Sequence, residues 1–191
     1  MKKTLIIVAQ KGFRDDELFH TREELEKNGI SIEIASETID VAKGMKGATV
    51  KPDLSIDDVD VNNYDAIVFV GGIGANSYFD NEKIHKIIKS AMIKNKLLAA
   101  ICIAPCILAK AGALKNKKAT VFNIPFVKRY RKILEENEAL FQKKKVVVDD
   151  NIITANGPSA ARDFGKIISQ MLKKWKSKQI ANISSGKTNF S

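Results

Sequence analysis

Apolar runs alternate with amphipathic stretches along almost the whole chain, the pattern of a parallel sheet covered by helices on both faces. Residues 4–9 predict a buried first strand, and 16–28 a helix with Leu18, Phe19 and Leu25 turned inward and Gly29 just past its end, a favoured stop residue. A second strand is expected over 31–36, where Ile30, Ile32 and Ile34 alternate with polar side chains. Residues 38–63 lack a sustained period and predict only a short extended piece near 48–50 and an acidic loop at 57–60. A central strand over 65–70 runs into Gly71-Gly72. A helix over 81–95, an all-apolar strand over 97–101 and a helix over 105–113 follow, the last opening on a proline whose missing N–H costs nothing there. Short strands are expected at 119–122, 146–148 and 152–155, with helices at 126–137 and 159–175. The polar stretch 176–191, rich in Ser, Asn and Lys, reads as a C-terminal tail beyond one domain of residues 1–175.

Composition narrows the class. A chain of 191 residues with 45% hydrophobic and 28% charged side chains suits one soluble globular domain. The longest apolar run falls well short of the ~18 residues a membrane span requires. Lys2-Lys3 before the apolar residues 5–9 superficially resembles a secretory signal, but the run stops at Gln10-Lys11-Gly12, so a first strand in a cytoplasmic protein is expected. The net charge of +10 is uneven: residues 1–100 carry 14 basic and 16 acidic side chains, residues 101–191 carry 18 and 6. The clusters at 128–132, 143–145 and 173–176 read as solvated faces, and no groove-reading motif accompanies them, so nucleic acid is not the expected partner.

Candidate chemistry centres on Cys102, which follows the strand over 97–101 and precedes the helix opening at Pro105. In open parallel sheets ligands sit beyond the carboxyl ends of the strands. A nucleophile on a sharp strand-to-helix turn needs small neighbours two before and two after, and Ala100-Ile101-Cys102-Ile103-Ala104 provides them. The following helix points free N–H groups at the turn, which favours a thiolate. A free cysteine is equally often a buried packing residue, and spacing alone leaves both readings open. Cys106 lies among Ile107, Leu108 and Ala111 and reads as packing, or as an accessory thiol that resolves an oxidised Cys102. The two cysteines with His20 and His85 lack zinc-type spacing, so no metal is expected.

Two further stretches fall at the same edge of the sheet. In Gly12-Phe13-Arg14-Asp15-Asp16-Glu17-Leu18, Asp15 and Asp16 read as helix-start acids, whereas a cleft-facing Glu17 raised in pKa by burial would hydrogen-bond a thiolate. In Gly71-Gly72-Ile73-Gly74-Ala75 the glycines let backbone N–H groups turn toward a reacting oxygen.

Taken with the closing 154–164 segment, Thr-Ala-Asn-Gly-Pro-Ser-Ala-Ala-Arg-Asp-Phe, these motifs resemble the ThiJ/PfpI superfamily over residues 3–174. The resemblance implies a flavodoxin-like three-layer sandwich of the class I glutamine amidotransferase type, commonly a homodimer. It implies Cys102 as nucleophile within A-I-C-x-x-P, Glu17 as its carboxyl partner within G-F-x-D-x-E, and Gly71, Gly72 and the Ile103 N–H near an oxyanion site. Ile103 stands where the protease-like branch has a histidine, and an isoleucine accepts no thiol proton. The parkinsonism-associated deglycase-like branch is the closer match. That branch often has a histidine in the loop after the next strand, where this chain has Phe122-Asn123-Ile124-Pro125; Asn123 can hydrogen-bond a substrate carbonyl but shuttles no proton. His20 is a candidate substitute.

The expected function is a cofactor-independent glyoxalase or deglycase acting on small reactive dicarbonyl aldehydes through Cys102 and Glu17. The alternatives are a redox-sensing or chaperone-like stress protein that oxidises Cys102, a protease-like enzyme, and a lapsed site on a retained fold.

Overall fold

The computed structural model describes residues 1–184, with side chains described through Lys174. Seven strands form the central sheet in the order β11 (Val146–Asp149), β12 (Ile152–Ala155), β8 (Leu97–Ile101), β7 (Ala66–Phe69), β1 (Lys3–Ile7), β3 (Ser31–Ser36) and β6 (Leu54–Ser55). Every neighbouring pair is parallel except the β11–β12 hairpin at one edge. Each residue of β7, β8 and β12 is buried, as strands covered on both faces must be.

Five helices cover the sheet: α1 (Asp15–Lys27), α2 (Glu82–Ile93), α3 (Pro105–Lys110), α4 (Arg129–Glu136) and α5 (Ala161–Ser184). Helix α1 packs on α5 and on β3, and α5 also on β8 and β12; α2 packs on α3 and β8, and α3 on α4. The expected α/β class with a mainly parallel sheet between helical layers is the architecture observed. Two small sheets flank it, one of β2 (Lys11–Phe13), β4 (Ala42–Gly44) and β5 (Thr49–Val50), the other of β9 (Lys118–Ala119) and β10 (Leu140–Phe141).

Several boundaries differ from the pattern-based reading, each for a local reason. Leu18 and Leu25 are buried as expected, but Phe19 is 37% exposed. The inner face of α1 is completed by Glu17, Thr21 and Glu24, and Phe19 lies about 100° round the helix from Leu18. The strand expected over 119–122 pairs only as β9. Beyond it the Thr120 N–H donates to the Thr154 hydroxyl (2.9 Å) and the Phe122 N–H to the Cys102 carbonyl (2.7 Å), so the ladder ends while the backbone donors stay satisfied. Helix α4 starts at Arg129 rather than 126, because Val127 N–H closes a turn on the Ile124 carbonyl and Phe126 sits at φ +69°. Helix α5 extends past the expected end at Trp175 to Ser184; the remainder of the expected tail, 185–191, lies outside the described residues.

The sheet topology brings the carboxyl ends of β1, β7 and β8 side by side, so the segments after them, residues 8–14, 70–75 and 102–104, meet at one edge.

Candidate functional site

Cys102 occupies the turn between β8 and α3 with φ +63°, a left-handed conformation that costs a non-glycine residue on the order of 1 kcal/mol. Its backbone is held from both sides: Cys102 N–H donates to the Ala155 carbonyl at 2.9 Å and its carbonyl accepts from Phe122 N–H. Ala100 and Ala104 are fully buried, as the tight bend predicted. The residue is 8% exposed, and what surface it keeps opens into a cavity of about 410 Å³.

Glu17 reaches this turn from the first turn of α1 and is completely buried. A reciprocal pair of hydrogen bonds locks it there. Arg14 N–H donates to the Gly71 carbonyl and Gly71 N–H donates to Glu17 Oε2, both at 3.0 Å. Gly71 packs against both residues: a methyl group there would stand 2.6 Å from Cys102 Cβ and 2.7 Å from Glu17 Oε2. Gly72, at φ +99°, presses against the backbone of Gly12–Arg14 so closely that a Cβ would collide with the Gly12 carbonyl. The second carboxyl oxygen, Glu17 Oε1, is buried without a hydrogen-bond partner.

Burial governs the protons. It lifts the Glu17 carboxyl from its ordinary 4.5 to about 7, against the Cys102 thiol and the Gly71 N–H, which favour the charged form. Burial likewise pushes the Cys102 thiol up, and the charge of Glu17 adds to that rise; the neighbouring N–H groups of Gly72 and Ile103 act the other way. Burial thus opposes the thiolate that the helix N–H groups favour. While Glu17 is ionised, the sulfur keeps its proton; with the proton on Glu17, the main charge opposing a thiolate is gone.

The cavity is lined by Cys102, Gly72 and Ile103, with Arg14, Met45, Ile73, Phe122, Tyr130 and Pro158. Met45 is positioned by Asp15, whose buried carboxylate accepts the N–H groups of Lys46 and Ala48, each at 2.9 Å. Asp16 pairs with Lys46 at 2.7 Å. The three consecutive acids at the start of α1 thus do three different things.

Of the expected site residues, Cys102, Glu17, Gly71, Gly72 and Ile103 are brought together. Asn123 is not: it lines a separate depression with Lys143–Lys145 and Asn156, because the chain turns away after the Phe122 bond to Cys102. His20, half-buried on α1, does not line the cavity; it lies near Asp16, one turn beyond Glu17. Cys106 is fully buried with its sulfur 3.5 Å from the Tyr130 carbonyl, and burial pushes its thiol up to about 12, as fits a packing residue. Arg14, Met45 and Tyr130 were not anticipated. Arg14 stands inside the quoted acidic stretch, where the carboxylates drew attention away from it.

Among the described residues, no group of three His, Cys, Asp or Glu side chains is arranged to hold a metal ion, and no helix is long and apolar enough to cross a membrane.

Residues 2–171 match the family model described as the DJ-1/PfpI family. An uncharacterized protein of Methanocaldococcus jannaschii is 40% identical over 90% of this chain and 83% of its own length. A protein of Thermococcus kodakarensis named as a deglycase is 31% identical over 86% of this chain and 98% of its own. One of Caenorhabditis elegans named as a glutathione-independent glyoxalase is 24% identical over 90% and 89%. The crystal structure of a ThiJ/PfpI domain protein from Brachyspira murdochii superposes with a TM-score of 0.86 at 28% identity, covering 90% of this chain and 96% of that one.

Proposed function

The chain belongs to the DJ-1/PfpI family, and from that premise we propose that it converts small 2-oxoaldehydes to 2-hydroxy acids without a cofactor, using Cys102 and Glu17. The observation that carries this reading is the fully buried Glu17 carboxyl, its pKa near neutrality, packed against the Cys102 turn beside a cavity of about 410 Å³. A carboxyl poised near neutral pH is suited to both giving and taking protons. Relatives named as a deglycase and a glyoxalase support the choice of substrate class.

In this reading the Cys102 proton passes to Glu17 and the sulfur adds to the aldehyde carbon, giving a hemithioacetal. The developing oxyanion would be met by the N–H groups of Gly72 and Ile103, which flank Cys102 in the cavity wall. Glu17 gives the thiol proton to that oxyanion, completing the hemithioacetal, and, again a carboxylate, removes the C1 hydrogen as a proton and delivers it to C2 through an enediolate. The electron pair moves from C1 to C2, so C1 is oxidised to a thioester, C2 is reduced to an alcohol, and no external redox partner is needed. Water cleaves the thioester and frees the thiol. The protein is proposed to work as a homodimer in a reducing cytoplasm, where Cys102 and Cys106 stay free thiols.

Incubation of the purified protein with methylglyoxal and no glutathione tests the proposal. Lactate is expected, with loss of about a hundredfold or more in Cys102→Ala and Glu17→Gln; equal turnover by Cys102→Ala overturns it.

The buried, unpartnered Glu17 Oε1 favours one further reading: a protonated carboxyl there donates to an oxygen of sulfinylated Cys102, making the site a peroxide sensor. Stoichiometric oxidation of Cys102 under mild peroxide, in a protein without turnover, favours the sensor over the enzyme.

A further inference from the structure

Arg14 is out of place as a helix-forming residue. It occupies the N-cap of α1, where serine, threonine, aspartate or asparagine normally accepts a backbone N–H, and its side chain makes no cap bond. A cation at that end also opposes the helix dipole. As a cap, therefore, an arginine contributes nothing to the helix, and its local partner is only the ion pair with Asp16.

Its surroundings point elsewhere. Arg14 lines the cavity over Cys102, and the other lining residues carry no formal charge in their ordinary protonation states. Its Nε is fully buried and has no hydrogen-bond partner. Among the described residues the carboxylate nearest the guanidinium is Asp16, 3.5 Å from Nε, and the same Asp16 oxygen is engaged by Lys46 at the shorter distance of 2.7 Å. The side chain is 30% exposed and lines the cavity that Cys102 also lines, and with Asp16 shared with Lys46 and the Glu17 carboxyl acting on it only from beyond ion-pair distance, the guanidinium is partly dry and incompletely neutralised. A planar fork of donors in that state matches a carboxylate.

We propose that Arg14 is an anion-binding residue of this site, and that the preferred substrates are 2-oxoaldehydes bearing a carboxylate on the far end of a short carbon chain. The cavity's apolar lining, from Met45, Ile73, Phe122 and Tyr130, takes the connecting carbons. The substrate half of this inference rests on the aldehyde reading of the site; the anion-binding half does not.

The two halves are tested separately. For anion binding, Cys102 is alkylated with iodoacetate and with iodoacetamide, which have nearly the same shape and differ in charge. Both react by the same step, the thiolate forming a C–S bond as iodide leaves. The ratio of the two rates cancels any change in thiol ionisation. Arg14→Met is expected to lower the iodoacetate-to-iodoacetamide ratio about tenfold, and Arg14→Lys to lower it less. An unchanged ratio in Arg14→Met overturns the proposal. For substrate class, kcat/KM is compared for 4,5-dioxopentanoate and its neutral methyl ester. The native protein is expected to prefer the carboxylate by about tenfold, with the preference lost in Arg14→Met; equal values in the native protein overturn the substrate assignment. Should neither compound turn over while methylglyoxal does, the substrate assignment falls and the aldehyde reading stands; should methylglyoxal fail as well, both fall, while the alkylation ratio still decides whether Arg14 binds anions.

Discussion

Glu17 Oε2 accepts the Gly71 N–H at 3.0 Å, and with the Arg14 N–H on the Gly71 carbonyl this bond fastens the start of α1 to the loop after β7. The bond places the carboxyl while leaving no room at Gly71 for any side chain. Gly71→Ala is therefore expected to push Glu17 and the Cys102 turn apart, with a loss of about 1–3 kcal/mol in stability and at least about tenfold in turnover. Urea denaturation paired with methylglyoxal kinetics checks both. A stable variant with native kinetics would show that the approach is not needed.

The raised pKa of Glu17 has a sign that stability measurements can read. The folded protein holds this proton more tightly than the unfolded chain does, so the contribution is full below about pH 4.5 and is lost as pH rises through about 7. Glu17→Gln cannot titrate. Its stability relative to the native protein should rise across that window, by roughly 3 kcal/mol at most. Urea titrations at pH 5 and pH 8 give the comparison, and a pH-independent difference would contradict the assignment.

The same carboxyl should appear in the kinetics. If Glu17 must change protonation during each cycle, kcat/KM for a 2-oxoaldehyde is expected to bend near pH 7, and that inflection should vanish in Glu17→Gln even where residual activity is measurable. A flat profile for the native enzyme between pH 6 and 8, on the order of one unit either side of that pKa, counts against a proton-transfer role.

Cys106 offers a contrast. Fully buried and facing the Tyr130 carbonyl, it should be alkylated far more slowly than Cys102 in the native protein, at matching rates only in urea. Cys106→Ala is expected to cost about 1–2 kcal/mol through the lost volume. The iodoacetamide rate at Cys102 should be unaffected. Mass spectrometry of the two tryptic peptides reads both outcomes.

Asp15 acts at a distance from the sulfur. Removing its carboxylate in Asp15→Ala leaves the N–H groups of Lys46 and Ala48 without acceptors and frees the segment that carries Met45. A loss of about 2 kcal/mol is expected, together with faster hydrogen exchange confined to residues near 44–48.

The parallel sheet was legible because its strands are buried on both faces, so β1, β7 and β8 appear as unbroken apolar runs between amphipathic helices. The Cys102 elbow was legible for a related reason: small residues at 100 and 104 satisfy a local steric demand that periodicity does not explain. What the pattern hides is pairing between distant backbone groups. The 119–122 segment has strand composition, yet its donors go to the Thr154 hydroxyl and the Cys102 carbonyl, a destination set by tertiary position. Asn123 was misplaced by the same blindness, since one residue after Phe122 the chain has already turned into another depression. Arg14 was overlooked because three acids follow it, and only their separate destinations leave its charge incompletely neutralised. The resting proton balance of Cys102 and Glu17 was likewise beyond the motif, which brings the groups together without saying how dry they are.

The elbow's closure has a direction in time. Phe122, Ala155 and Pro158, which tie down or roof the Cys102 turn, all come later in the chain than the cysteine itself. A growing polypeptide emerging from its N-terminus must expose that thiol to solvent, with unfolded reactivity, until β12 is in place. Short alkylation pulses on chains stalled before and after residue 155 should catch the difference. The sulfur thus serves as a built-in timer of its own enclosure.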